Sequence, residues 1–212
     1  MARLTVLPQF ACISGSDLPK KRLRPASATV GGMEHYVAFL RGINLGNRRI
    51  KSPELVGHFE AMGLEEVATF RASGNVIFAD PSGDSEATLQ KRLEAELDER
   101  LGYDVAVFLR SFEEVAAIAA HQPFDAAAIA KSKGKPQVQL LAKKPSAAAR
   151  KKALALAGPD DEMAFAGREL HWLPSTGLSE TEVDLKAIDK ALGRGTMRTA
   201  GTIEQIASKF CG

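Results

Sequence analysis

The segment VATFRASGNVIFAD, residues 67–80, consists of two short runs rich in β-forming residues with Ser73-Gly74 between them. Two such runs around a short serine-glycine turn are typical of a β-hairpin. We therefore predict strands over 67–72 and 75–80, joined directly at Ser73-Gly74.

A strand and a helix are predicted before this hairpin, and a helix and a strand after it. Ser52 suits a helix N-cap, Pro53 suits the first helical position, and Gly63 suits the residue after a helix. The predicted elements are a strand over 35–40, a helix over 53–62, the hairpin, a leucine-rich helix over 85–101 and a strand over 103–109. This order over residues 33–110 is that of a ferredoxin-like unit.

The same order of elements returns more loosely in the second half of the chain. The predicted elements are a strand over 136–143, a helix over 146–156, hairpin strands over 162–166 and 168–173, a helix over 180–192, a strand over 196–198 and a final helix. Thr202 and Gln205 have the spacing of a capping box, which places the start of that final helix near Thr202.

The sequence therefore predicts an α+β fold of two successive ferredoxin-like β-α-β-β-α(-β) units. The first occupies residues 33–110 and the second, with a C-terminal helix, occupies residues 136–212. A helical connector over residues 111–135 joins them. The recurrence of one element order indicates a structural duplication.

The net charge of +2 is distributed unevenly along the chain. Residues 1–32 hold five lysines and arginines against Asp17 alone, a net charge of +4, so residues 33–212 carry −2. A domain at −2 does not attract polyanions in general, which disfavours non-specific nucleic-acid binding. Residues 1–32 show no helix or strand periodicity, and we expect a disordered extension there. The alternative is a targeting or basic tethering arm.

Composition and cysteine usage predict a cytoplasmic globular protein. Hydrophobic residues make up 45% and charged residues 25% of the chain, as in ordinary globular proteins. No apolar run approaches the roughly 20 residues that span a bilayer, so no membrane partner is expected. Cys12 and Cys211 lie near opposite ends of the chain and do not indicate a disulfide framework.

The pattern assigns no catalytic residue, no cofactor and no metal site. The histidines, His35, His58, His121 and His171, have no partners at metal-ligand spacing. His171 lies beside Trp172 in a predicted strand, and we interpret it as a structural histidine. Ser73 lacks the surrounding glycines of a nucleophile elbow.

One edge of the first unit is the predicted ligand site. In a ferredoxin-like unit the first two strands run in the same direction, so the segments that follow them, 41–49 and 73–75, leave the sheet at the same end. No carboxylate occurs from residue 41 to 53, and the glycines let backbone N–H groups approach a ligand. The predicted ligand-binding residues are Arg41, Gly42, Asn44, Gly46, Arg48, Arg49, Ser73, Gly74 and Asn75, with Arg198 joining if the second unit folds over this edge.

Each residue type at this edge suits an anionic ligand. Arginines would donate charge-assisted hydrogen bonds to phosphate or carboxylate, and asparagine and serine would orient the ligand. The start of the helix at 53–62 adds a favourable dipole. The alternative is that the glycines and asparagines serve tight turns and that the arginines form solvated surface.

Two of these segments resemble a known family. LRGINLGNRRIK (40–51) followed by FRASGNVIF (70–78) is similar to the start of the bacterial domain-of-unknown-function family 1697, in which Leu-Arg-Gly-Ile-Asn-Val-Gly precedes a Ser-Gly-Asn hairpin. Its third motif, Thr-x-Arg-Asn-Trp-Asn-Thr, is matched at Thr196, Arg198 and Thr202, but Thr199-Ala200-Gly201 replaces the Asn-Trp-Asn centre. The resemblance covers about residues 33–209. It implies a two-unit α+β fold and carries no assigned activity.

Three functions are compatible with these features. The first is binding, with or without catalysis, of a small anionic ligand such as a nucleotide or phosphorylated metabolite. The second is a non-catalytic interaction module, which predicts an exposed apolar patch or stable self-association, and no ligand-sized cleft. The third is an RNA-recognition module, which shares the element order. The opposite orientations of Tyr36 and Phe39 on their strand, and the acidic balance of residues 33–212, disfavour the third.

Overall fold

The computed structural model describes residues 33–44, 46 and 48–212. The predicted extension at 1–32 therefore lies outside the described residues. The strands are β1 (Glu34–Arg41), β2 (Glu65–Thr69), β3 (Asn75–Asp80), β4 (Ala106–Ser111), β5 (Gln137–Leu141), β6 (Glu162–Ala166), β7 (Glu169–Leu173) and β8 (Gly195–Thr199). The helices are α1 (Ser52–Ala61), α2 (Glu86–Leu101), α3 (Phe112–Ala120), α4 (Ala126–Lys131), α5 (Ala147–Leu154), α6 (Leu185–Leu192) and α7 (Ala200–Phe210).

The strands form two four-stranded antiparallel sheets. The first has the order β2-β3-β1-β4, and the second has the order β6-β7-β5-β8. Each sheet is built from a strand-helix-strand-strand-helix-strand succession, and α3 and α4 lie between the two successions. The predicted α+β fold class is confirmed.

Three apolar clusters organise the layers. The outer face of the first sheet packs against α1 and α2, and Leu89, Leu93 and Leu97 of α2 are completely buried there. The central cluster joins the inner faces of both sheets, with Phe39 of β1, Val138 of β5 and the inner side of α3 and α7. A third cluster lies on the outer face of the second sheet, against α6. Helices thus cover every sheet face that carries a core.

Strand β1 is buried on both faces. Its alternation sends Tyr36 to the outer cluster and Phe39 to the central cluster, as the sequence indicated. Phe78 of β3 is also buried. Stacking a nucleobase on any of these three rings would require opening the core.

Several predicted boundaries in the first unit were wrong. The predicted two-residue turn is longer, because β2 ends at Thr69 and the Phe70 amide bonds the Asn75 carbonyl at 2.9 Å across residues 70–74. Helix α1 begins at Ser52, so Lys51 and not Ser52 occupies the N-cap. Strand β4 begins at Ala106 and not at 103.

The starts of two helices in the second unit also differ from prediction. Helix α6 begins at Leu185, not at 180, because the Asp184 side chain accepts hydrogen bonds from the first-turn amides. Helix α7 begins directly after β8, where the Thr199 hydroxyl accepts the amide of Thr202 at 3.2 Å. The capping box predicted at Thr202 and Gln205 is therefore wrong, since the cap lies three residues earlier.

Ion pairs cross between the two units. The guanidinium of Arg110 on β4 is fully buried and donates to the Glu169 carboxylate on β7 at 2.8 Å and to the Leu141 carbonyl at 2.9 Å. Arg168 donates to Glu86 of α2 and Glu114 of α3. Among the described residues, none of the helices has the length and apolar character that crossing a bilayer requires.

Candidate functional site

The segment after β1 and the β2–β3 turn lie side by side. Strands β1 and β2 both run antiparallel to β3 and therefore point the same way. The Leu40 amide donates to the Gly74 carbonyl at 2.7 Å, and Phe39 pairs with Asn75. The topology thus places the two predicted segments at one edge.

Asn44 and Gly42 shape the loop that follows β1. Asn44 adopts a left-handed conformation, with φ of 55°. Its side chain accepts the Ile50 amide at 2.8 Å and donates to the Ala72 carbonyl at 3.2 Å, so it closes the loop and ties it to the hairpin turn. Gly42 has φ of 94°, and a Cβ there would lie 3.2 Å from the Asp104 carbonyl oxygen. Both residues therefore stabilise the conformation of this loop.

Arg41 reaches across to the second unit. Its guanidinium donates to the Asp189 carboxylate of α6 at 2.7 Å and to the Gly195 carbonyl at 2.5 Å. Asp189 also accepts a hydrogen bond from Gln139 of β5 at 2.9 Å. The sequence around Arg41 contains no carboxylate, but the fold places the Asp189 carboxylate, from a distant part of the chain, against its guanidinium.

Arg198 joins the edge, as the sequence allowed, through a network with the hairpin turn. Its Nε donates to Asn75 Oδ1 at 2.6 Å, and its Nη2 donates to the carbonyls of Leu40 and Ser73, both at 2.9 Å. Asn75 is completely buried, and its Nδ2 donates to Phe70 and Ser73. Burial lowers the pKa of Arg198 to about 10, which leaves it charged at neutral pH. We call Arg198, Asn75 and the Ser73-Gly74 turn the motif network.

The remaining predicted residues lie on the loop after β1. The Arg48 guanidinium stacks over the Tyr103 ring at 4.2 Å, and Arg49 is exposed. Gly46 has φ of 58° with open space around its Cα. The structure thus gathers Arg41, Asn44, Ser73, Gly74, Asn75 and Arg198 into intramolecular contacts and leaves Arg48 and Arg49 on the loop. Ligand contact by any of them stays a prediction.

A cleft of about 390 Å³ opens beside the motif network. It begins at Thr199, immediately after Arg198, and Arg71 of the hairpin turn borders it. We call it the inter-unit cleft. Its lining residues are Arg71, His121, Gln122, Pro123, Phe124, Ile129, Lys135, Pro136, Gln137, His171, Thr199, Ala200, Gly201, Thr202, Glu204 and Gln205.

Cationic side chains and the start of α7 border this cleft. Arg71 has a left-handed backbone, with φ of 59°, and donates to the neutral amide of Gln205 at 2.9 Å. Lys135 is exposed, and Glu204 is the one carboxylate in the lining. The α7 amides of Ala200 and Thr202 bond Pro136 and Thr199, whereas a Cβ on Gly201 would meet no atom within 4 Å.

His171 lines the cleft from β7. It is 3% exposed, and its Nε2 has no hydrogen-bond partner among the described residues. The His121 ring packs edge-on against it, with the ring centroids 4.7 Å apart. Burial, reinforced by His121, lowers the pKa of His171 to about 4, so the imidazole is neutral at pH 7. Leaving such a buried nitrogen unpaired costs about 1–3 kcal/mol.

The connector supplies an apolar wall. Phe124 is buried, and Pro123, Ile129 and Pro136 are partly buried around the same opening. In the part of the chain that the structure describes, no three His, Cys, Asp or Glu side chains are grouped to hold a metal ion. The cleft therefore combines two cationic side chains, two imidazole rings and an apolar wall.

Sequence reasoning missed the inter-unit cleft. Arg71 was placed in a strand, and His171 was interpreted without its partner His121, which is 50 residues away in sequence. One signal did point here, because the family motif departs from its pattern at Thr199-Ala200-Gly201 and those three residues line the cleft.

The chain matches a known protein family over most of the described residues. The family described as a protein of unknown function, DUF1697, matches residues 33–171. This chain belongs to the DUF1697 family. The match includes the first two motifs and ends before the third, at residues 196–202.

The fold is shared with a solved structure. The structure of the conserved bacterial protein SP0830 from Streptococcus pneumoniae superimposes with a TM-score of 0.62 at 21% sequence identity. The similarity covers 84% of this chain and 98% of the other. At this identity the likeness establishes a shared fold alone. No curated protein matches the chain.

Proposed function

We propose that this protein binds a small anionic ligand at the edge where its two units meet, with the ligand in the inter-unit cleft. The observation that carries the proposal is the position of Arg71, Lys135 and the start of α7 around one opening of about 390 Å³. Clefts of this size bind small metabolites. The predicted edge of Arg41, Asn44, Ser73 and Asn75 does not line this opening; it adjoins the opening through Arg71 of the same hairpin turn and through Thr199, which follows Arg198.

The electrostatics support an anion rather than a neutral ligand. Arg71 and Lys135 outnumber Glu204 in the lining. Within the described residues, the hydrogen-bond partner of the Arg71 side chain is the neutral Gln205, so its charge is not offset by a salt bridge. Arg71 contacts α7 at Gln205 and lines the cleft together with the first turn of that helix, and a guanidinium suits phosphate or carboxylate oxygens.

The predicted site residues would have two roles in this proposal. Arg41, Asn44, Asn75 and Arg198 would hold the hairpin turn and α7 in register through the contacts described above. Arg48, Arg49 and Gly46 would lie on an outer loop that attracts anions toward the edge. We extend the proposal to a duplicated ferredoxin-like unit, which the common strand order of the two sheets supports. We also propose that the protein is cytoplasmic.

The cleft also bears on the rival functions. An interaction module without a ligand predicts no ligand-sized opening, whereas the inter-unit cleft is large enough for a metabolite. An RNA-recognition module needs exposed aromatic rings on its sheet, and Tyr36, Phe39 and Phe78 are buried. A small ligand is therefore the function that the geometry favours.

Calorimetric titration with pyrophosphate and ribose 5-phosphate tests the proposal. We expect binding to wild type, and a dissociation constant raised about tenfold or more by Arg71→Ala, because a charge-assisted hydrogen bond is lost. Gly201→Phe should abolish binding, since its side chain would extend into open space in the cleft.

Gly57→Phe is the matched control for the cleft-filling variant. Gly57 is exposed on α1, and a Cβ there also meets no atom within 4 Å. It should leave binding unchanged. Absence of heat for both probes at millimolar concentration, or equal binding by Gly201→Phe and wild type, would contradict the proposal. If the double variant Arg48→Ala/Arg49→Ala lost binding while Arg71→Ala kept it, the ligand would bind at the outer loop, and the proposal of a site in the cleft would be wrong.

A further inference from the structure

The inter-unit cleft has two chemically different sides. Arg71 enters from the hairpin turn of the first unit and contacts α7 through Gln205. His171 enters from β7 of the second unit, and Phe124 and His121 come from the connector and the end of α3. One side thus presents the Arg71 guanidinium, and the other presents two imidazole rings and an apolar ring.

Sheet geometry sets the distance between these sides. Thr199 of β8 pairs with Gln137 of β5, which pairs with Trp172 beside His171 on β7. Two strand spacings therefore separate the start of α7 from the His171 backbone, about 10 Å. A ligand that contacts both sides must carry its anionic group and its other polar group at opposite ends.

The His171 side of the cleft suits a neutral hydrogen-bonding group. Its Nε2 is buried and has no partner among the described residues. That nitrogen donates in one tautomer and accepts in the other, so it suits a carbonyl, a ring nitrogen or a ring N–H. Phe124 and the His121 ring beside it provide flat apolar surfaces that favour a planar group over a flexible chain.

We propose that the ligand is a phosphorylated compound with a planar nitrogen heterocycle, of the nucleoside monophosphate class. Its phosphate lies at Arg71 and the start of α7, and its ring lies against Phe124 and bonds His171 Nε2. This assignment rests on the proposed function, because it names the substrate class of the same cleft.

Titration with a matched ligand series tests this assignment. The probes are the purine and pyrimidine nucleoside 5′-monophosphates, the corresponding nucleosides, and ribose 5-phosphate, which keeps the phosphate and sugar but lacks the ring. We expect at least one nucleotide to bind wild type about tenfold more tightly than ribose 5-phosphate. The nucleosides should bind more weakly than their monophosphates.

Variants of His171 identify the contact. His171→Phe should abolish the preference for the nucleotide and leave ribose 5-phosphate binding unchanged, whereas His171→Gln, which keeps a side-chain hydrogen-bonding group, should restore part of it. His58→Phe is the control, because His58 lies on α1 and does not line the cleft. Binding of the nucleotide should also shift the His171 imidazole nitrogen resonances, and ribose 5-phosphate should not.

The outcomes separate this assignment from the function on which it rests. Equal binding of nucleotides and ribose 5-phosphate, both weakened by Arg71→Ala, would overturn the heterocycle and leave anion binding intact. No binding by any phosphorylated probe would overturn both. The role of His171 would be overturned if His171→Phe kept the preference for the nucleotide and if nucleotide binding to wild type left the His171 imidazole resonances unshifted.

Discussion

Arg198 shows how a side chain predicted to contact ligand is used by the protein itself. Its guanidinium bonds the Asn75 side chain and the carbonyls of Leu40 and Ser73, which are all groups of the first two family motifs. The third motif thus closes on the other two within one network. These residues therefore have a physical reason to occur together even without a ligand.

At this scale we predict the effect of Asn75→Ala. The substitution removes the acceptor of Arg198 Nε and leaves a buried charged donor unpaired, so the free energy of unfolding should fall by about 1–3 kcal/mol. Urea denaturation measures it. Ser73→Ala is the control, because Ser73 is exposed and its hydroxyl is one of two acceptors of Asn75 Nδ2. Equal stability of Asn75→Ala and wild type would contradict the network.

The hairpin turn is the element on which the edge depends. Residues 70–74 form a longer turn than the Ser73-Gly74 pattern indicated, and this places Arg71 outside the strand and beside α7. Gly74 closes the turn with φ of 69°, against Leu40 and Ile43. The turn is therefore shaped by packing against β1 and the following loop as well as by its own residues.

Gly74→Ala tests this packing, with Gly83→Ala as its control. The two glycines have nearly the same φ, 69° and 70°, but a Cβ on Gly74 would lie 2.7 Å from Ile43 Cγ2, whereas one on Gly83 meets nothing within 4 Å. Both substitutions carry the left-handed strain of about 1 kcal/mol or more. We expect Gly74→Ala to lower the free energy of unfolding by a further 1–3 kcal/mol or so, because of overpacking. Similar values for both variants would show that packing contributes nothing.

Element types followed well from local patterns, and element boundaries did not. The four-residue leucine spacing of α2 corresponds to a buried helix face, because periodicity reports which side of an element meets the core. Helices α6 and α7 begin where Asp184 and Thr199 satisfy first-turn amides. Other nearby residues have side chains that could cap these helices, so the local sequence did not determine which residue is the N-cap.

For the whole molecule, buried and half-buried ion pairs hold the two units together. Arg110 of the first unit pairs with Glu169 of the second, and Arg41 pairs with Asp189. Arg168 bridges Glu86 and Glu114. The inter-unit cleft depends on this relative placement, since Arg71 comes from the first unit and the rest of its lining comes from the connector and the second unit.

Arg110→Met tests the most buried of these pairs. The substitution leaves the Glu169 carboxylate buried without its guanidinium, which typically costs about 3–5 kcal/mol. The exposed pair of Arg194 with Asp104 provides the control, and Arg194→Met should change stability by less than about 1 kcal/mol. Denaturant unfolding of both variants measures the difference, and equal costs would be inconsistent with a buried inter-unit bond.

Local information in the sequence was enough to determine the α+β class, the two-fold recurrence of elements and the meeting of the β1 end with the hairpin. Each follows from side-chain period and from strand directions in one unit. The tertiary structure alone decided that Asp189 meets Arg41, that Arg198 bonds Asn75, and that His171 and His121 face one cleft. These contacts join residues 50 to 148 positions apart, and no local pattern encodes which distant side chain will be the partner.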